Sequence, residues 1–195
     1  GFMYQIRDSA DLERRWPEFL AHHTDFVKAL LLYSENHARR KDDPNEFNWH
    51  GLDPALLPLL VRRAHAAHLP VTVHVETAAD FRAALAAGAD EIAHMPGFRP
   101  AHDSVARFAG DLAPYRLTDA DARLAARRGA TVVTTLGESI AYLALGDSSG
   151  LDAASRARVL GLYRDNLHTL KRRGVRIVFG SDAFRGSTVP EVTQL

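Results

Sequence analysis

The sequence predicts a parallel α/β fold of the (β/α)-barrel kind. Three observations carry this prediction. Amphipathic helices alternate with short apolar strands, a Gly or Pro breaks the chain at most junctions, and no glycine-rich phosphate fingerprint follows any strand.

The elements follow in order. A helix over about 9–22 leads into the apolar run Phe26-Val27-Lys28-Ala29-Leu30-Leu31-Leu32. Asp53-Pro54 reads as a helix start, with an N-cap side chain and proline at the first helical position. Leu56, Leu57, Leu60, Val61 and Ala64 then recur at helical spacing, and Leu69-Pro70 ends that helix before the strand Val71-Thr72-Val73-His74-Val75. Thr77 caps the next helix with Asp80 at the capping-box position, and Gly88 suits a left-handed end. Glu91-Ile92-Ala93-His94 is the third strand. Thr118 and Asp121 start a helix that runs to Arg128-Gly129, ahead of the strand Ala130-Thr131-Val132-Val133-Thr134-Thr135. Asp152 begins the longest helix and Gly174 closes it; Val175-Arg176-Ile177-Val178-Phe179-Gly180 is the fifth strand.

Near-continuous apolar strands are expected where helices cover one face of a sheet and a packed interior covers the other. Gly180-Ser181-Asp182 lacks the spacing of a dinucleotide loop or a P-loop, which disfavours a doubly wound nucleotide binder. A closed barrel uses eight strands and about 250 residues. Five strands in 195 residues therefore predict a single-domain piece of such a barrel over 1–195, truncated at both ends, in preference to an open sheet.

Composition narrows the function. An apolar fraction of 46% and a charged fraction of 25% are those of a globular chain. Lysine plus arginine, 24, balances aspartate plus glutamate, 24, so no net charge draws the chain to nucleic acid or anionic lipid. The arginine clusters are separate, and most complement helix C-termini. No apolar run approaches the roughly 20 residues of a membrane span, and Gly1-Phe2-Met3-Tyr4 does not read as a signal peptide. Without cysteine, any metal must be held by His, Asp, Glu or a modified Lys. The ten histidines are a mild pointer to metal or acid–base chemistry, and the compartment is left open.

In parallel barrels the active site lies at the C-terminal ends of the strands. Lys28, His74, His94 and Asp182 fall at or near such ends, each on a different strand. Taken singly, a strand-end histidine reads as a hydrogen-bonded core residue, and Asp182 reads as a cap or turn residue. Lys28 is different: in a largely buried strand its ammonium must snorkel, lose its proton, pair, or be chemically altered. Together the four make a constellation that accident explains poorly.

The order of these residues resembles the amidohydrolase superfamily, closest to its imidazolonepropionase-like and prolidase-like metal-dependent branch. The matching stretches are Asp25-Phe26-Val27-Lys28, Val71-Thr72-Val73-His74-Val75, Ala87-Gly88-Ala89-Asp90-Glu91-Ile92-Ala93-His94-Met95-Pro96-Gly97 and Gly174-Val175-Arg176-Ile177-Val178-Phe179-Gly180-Ser181-Asp182. The resemblance implies a (β/α)8 TIM-type barrel, with this chain covering about strands 4 to 8 and their helices. It implies that Lys28, carboxylated by carbon dioxide, bridges two divalent metals. His74 and His94 would bind the second metal, and Asp182 would bind the first and take a proton from the attacking water. Neutral imidazoles and hard oxygens suit zinc, a bound water acidified to a pKa of about 7 supplies hydroxide, and a carboxylate beside it shuttles the proton. The family's first-strand His-x-His pair has no counterpart here: His22-His23 are adjacent, and His65 and His68 lie on a helix away from the strand tips. The simplest account places the first strands upstream of Gly1.

Substrate contacts are expected from the loops after the strands. Tyr33, Ser34 and Glu35 follow the Lys28 strand, and 39–50 reads as a long polar loop. Glu76 is either a partner of His74 or the solvated cap of the next helix. Thr134 and Thr135 end a strand, with Tyr142 in the loop beyond. Arg185 either meets a substrate carboxylate or is a solvated loop residue.

The expected function is hydrolysis of an amide, cyclic amide or ester bond of a small molecule by metal-activated water, with one or two zinc ions. The alternatives are a catalytically incomplete barrel fragment or scaffold, and an open-sheet binding module. Five strands also leave two apolar edges, near Leu30 and Val178, that invite self-association.

Overall fold

The computed structural model describes residues 4–42, 51–97, 110–144, 146 and 150–181. Asp182, Arg185 and residues 43–50 of the polar stretch therefore lie outside the described residues. The described elements are α1 (Ser9–Leu20), β1 (Val27–Leu30), α2 (His37–Arg40), α3 (Leu57–Ala66), β2 (Val71–His74), α4 (Ala78–Ala87), β3 (Glu91–Ala93), α5 (Asp119–Arg128), β4 (Thr131–Val133), α6 (Gly137–Leu143), α7 (Ala153–Arg172) and β5 (Arg176–Val178). The strands form one parallel sheet in the order β1-β2-β3-β4-β5, the order of the chain itself. Sequential parallel neighbours joined by helices are the arrangement of a (β/α)-barrel segment, with β1 and β5 as its edges.

Local chemistry sets the helix ends where the sequence placed them. Thr77 and Thr118 each accept from the amide three residues on, and Asp80 and Asp121 return the bond, so both capping boxes form. Asp152 caps α7 through the Ser155 amide. One start differs. Asp53 accepts from the Ala55 amide and caps a turn, while the helix proper begins at Leu57 with Pro58 in its first turn.

The helices lie on one face of the sheet, α3 against α4, α4 against α5 and α5 against α7. Strand alternation aims Val27, Ala29, Val71, Val73, Ile92 and Val132 at them, and all are buried in one cluster with Leu57, Phe81, Leu85, Ala125 and Leu162. The opposite face is different in kind. At its lower level the register aligns Lys28, Thr72, Glu91, Thr131 and Arg176, and one level up Leu30, His74, Ala93, Val133 and Val178. Val27 and Ala29 of β1 are buried as expected, while Lys28 between them is exposed: it shares the uncovered face with Arg176, so its ammonium meets solvent. Val178 and Phe179 at one edge and Phe26 at the other are exposed as well. Among the described residues no helix is long and apolar enough to cross a membrane.

Tyr163 on α7 is wholly buried, and its hydroxyl donates to the Gly97 carbonyl at 2.9 Å. Burial pushes this phenol well above its usual value of 10.0. The unfolded chain releases the proton first, so this stability is fully present below pH 10 and is lost as pH climbs further. The slope approaches about 1.4 kcal/mol per pH unit. Tyr163→Phe is expected to unfold more easily at neutral pH by about 1–3 kcal/mol. Urea titrations between pH 8 and 11 should show the difference between the two proteins shrinking above pH 10.

Candidate functional site

The C-terminal ends of β2 and β3 bring two imidazoles together. His74 is the last residue of β2, and His94 follows the last residue of β3. Their ring centroids lie 4.3 Å apart, edge to face, and the residues are only 8% and 2% exposed. The sheet ladder extends past the strands to hold them. The His94 amide donates to the Val133 carbonyl, Met95 to Thr134, and Thr134 to Val178.

Each ring has a side-chain partner. The Glu76 carboxylate stands 3.1 Å from His74 Nε2 and is itself mostly covered. A carboxylate only accepts, so Nε2 carries the proton in this contact. His94 Nδ1 lies 2.5 Å from the Thr135 hydroxyl. Such outer partners set the orientation and tautomer of a ligating histidine.

The loop that follows His74 is held by a clamp for which the sequence showed only a capping role. Asp80, wholly buried at the start of α4, accepts from the amides of Glu76 and Thr77 and also from those of Tyr33 and Ser34. One carboxylate thus ties the loop after β1 to the loop after β2. Gly97 ties the next loop in, its amide donating to the Glu76 carbonyl at 3.0 Å. Gly97 has φ of 79°, and an added Cβ would lie 3.1 Å from both Leu162 and Tyr115, so glycine is required there.

The other expected residues are placed as follows. Lys28 is on the same sheet face as His74 but pairs with Thr72, two residues lower, about 6.6 Å along the strand. The structure therefore does not bring it level with the imidazoles. Tyr33 packs edge-on against Tyr115, hydroxyl to hydroxyl at 3.2 Å, with the Arg40 guanidinium over its ring. Arg39 and Arg40, at the start of the expected loop, lie on α2, and the buried Arg40 donates to the Leu32 carbonyl. Tyr142, also expected in a loop, lies on α6, which follows β4 after three residues. Asp182 and Arg185 are outside the described residues.

The donor set fits a divalent metal in part. Two adjacent buried imidazoles with ordered partners suit zinc, which takes four ligands. Among the described residues no group of three His, Asp or Glu converges to hold an ion. The remaining donors would have to come from Lys28 or from residues such as Asp182.

A parallel sheet in chain order, with helices on one face and polar side chains at the strand C-termini, is the arrangement of part of a (β/α) barrel. Solved structures match this fold. An amidohydrolase aligns at 22% identity and a TM-score of 0.57 over 91% of this chain and 38% of its own. The ochratoxinase of A. niger aligns at 21% and 0.59, covering 90% of this chain and 35% of that one. A Xaa-Pro dipeptidase with methionine bound in its active site aligns at 18% and 0.56, covering 93% and 41%. The chain thus spans well under half of each solved chain, and at these identities the likeness is one of fold. It is the fold the resemblance implied. Neither a family model nor a curated relative matches the sequence.

Proposed function

We propose that this chain belongs to a hydrolase of the amidohydrolase superfamily and carries part of its metal centre, acting on an amide, cyclic amide or ester bond of a small molecule. The observation that carries the reading is the buried His74–His94 pair at the ends of adjacent parallel strands, with ring centroids 4.3 Å apart. Fold likeness to an amidohydrolase, an ochratoxinase and a dipeptidase supports it.

In this reading His74 and His94 are ligands, Asp182 is a ligand and the proton carrier, and Lys28 contributes an oxygen donor after carboxylation by carbon dioxide. A divalent metal such as zinc supplies Lewis acidity there and lowers the pKa of a water to about 7. The chain's own residues do the rest. Glu76 holds the proton on His74 Nε2 and fixes the orientation of the ring. Asp182 passes a proton to the leaving group. Tyr33 and Tyr142 wall the substrate side, and Arg185 meets a substrate carboxylate.

Elemental analysis of the whole natural polypeptide, beside its Lys28→Ala variant, tests the proposal. About two metals per chain, falling in the variant, is the expected result. One metal retained by the variant would leave a mononuclear hydrolase with an unmodified Lys28. No zinc bound and no amide or ester cleaved after zinc addition would end the hydrolase reading.

A further inference from the structure

We propose that Asn166, on α7, is a positioning residue for the aromatic side of the site: it fixes the chain at Tyr115, and Tyr115 in turn sets the ring of Tyr33. The inference rests on the reading above in one respect, that Tyr33 faces the substrate.

Asn166 is wholly buried, so both ends of its amide need partners. They find them on one short stretch of backbone. Its Oδ1 accepts from the Leu117 amide at 2.9 Å, and its Nδ2 donates to the Tyr115 carbonyl at 3.0 Å. A backbone amide only donates and a carbonyl only accepts, so these two bonds admit a single orientation of the side chain. About one helical turn earlier, Tyr163 donates to the Gly97 carbonyl. Helix α7 thus holds two points that lie side by side, since a Cβ on Gly97 would stand 3.1 Å from the Tyr115 Cβ.

The Tyr115 side chain is buried and meets Tyr33 edge-on, with ring centroids 6.5 Å apart, rings at 84° and hydroxyls 3.2 Å apart. Tyr33 is half-buried, with its backbone left-handed at φ 54° and its amide on Asp80. Asp80 therefore fixes where the Tyr33 backbone runs. Tyr115 and the Arg40 guanidinium, 5.1 Å from the Tyr33 ring centroid, bound where its ring can lie. Removing the Asn166 amide takes a buried partner from the Leu117 N–H and from the Tyr115 carbonyl, and the backbone must shift to pair them again. Such a shift moves the Tyr115 hydroxyl, and Tyr33 with it.

The test follows the Cζ carbons of both tyrosines by ¹³C NMR in the whole natural polypeptide, with signals assigned from Tyr33→Phe and Tyr115→Phe. KM and kcat of the zinc-loaded protein on p-nitrophenyl acetate are read from the same preparations. In Asn166→Leu, which keeps the bulk of the side chain and loses both bonds, the Tyr115 and Tyr33 signals should both move. KM should rise about 2- to 10-fold, the worth of one neutral hydrogen bond, with kcat little changed. Tyr115→Phe, which takes away only the hydroxyl, should also move the Tyr33 signal. Val159→Ala, which removes wholly buried packing from the same helix, should leave Tyr33 where it is. A Tyr33 signal unmoved by Tyr115→Phe would overturn the inference even if Asn166→Leu failed to fold. So would a Tyr33 signal that Val159→Ala moves as far as Asn166→Leu does. Tyrosine signals that move as expected, with KM unchanged or no ester cleaved, would refute the substrate role given to Tyr33 and leave Asn166 as the residue that sets Tyr115.

Discussion

Replacing Asp80 by alanine is expected to lower the unfolding free energy by about 4 kcal/mol, a large fraction of what holds an ordinary domain together. Its carboxylate is wholly buried and accepts from four backbone amides: Ser34 at 2.7 Å, Glu76 at 3.0 Å, and Tyr33 and Thr77 at 3.1 Å each. Bonds to a charged acceptor are each worth about 1.5–3 kcal/mol, and alanine would leave these donors orphaned. They do not sum, because some of the freed amides will reach water. Thr77→Ala separates the clamp from the cap. It removes the hydroxyl that starts α4 and should cost about 1 kcal/mol. Urea denaturation of the two variants measures the gap. A loss below 1 kcal/mol in Asp80→Ala would show that the two loops stand without their shared anchor.

His74→Ala is expected to abolish zinc retention and to reduce kcat/KM on amide or ester substrates by on the order of 10³-fold or more. The size follows from several kcal/mol of transition-state stabilisation lost with the metal. Stability should change less than catalysis, because His74, although buried, lies on the sheet face opposite the core that the helices cover. The same preparations analysed for zinc, turnover and melting temperature distinguish the cases. Full turnover in a zinc-free His74→Ala protein would remove the imidazole pair from the mechanism. Parallel loss of folding and activity would assign His74 a structural role instead.

What proved legible in the sequence was local. The capping boxes at Thr77 and Thr118, the Asp152 cap and the left-handed Gly88 all depend on groups within about one helical turn of one another. The alternation of strand and helix was legible for the same reason, since apolar period and turn chemistry are written within each segment. Where two local signals competed, the reading slipped: Asp53-Pro54 carries a cap motif, yet it serves a turn, and α3 starts at Leu57.

The candidate site divides along the same line. His74 and His94 could be named from their place at strand ends, because parallel barrels put chemistry there. That Lys28 is exposed and pairs with Thr72, below the His74 level, depends on strand register and on which face the helices cover. Tyr142 lies on a helix where the sequence predicts a loop.

The sequence by itself determined the order of the five strands and the main helices between them, most of the caps and the pair of strand-end histidines. Only the tertiary structure decided how these meet. His94 and Thr135 touch across 41 residues of chain, and Asp80 holds amides 46 and 47 residues away. A left-handed threonine carries no local signature, because its conformation goes with the sheet pairing of Thr134 before it rather than with its own propensity. Contacts between distant segments form only once the helices have buried one face of the sheet and set the register of its strands.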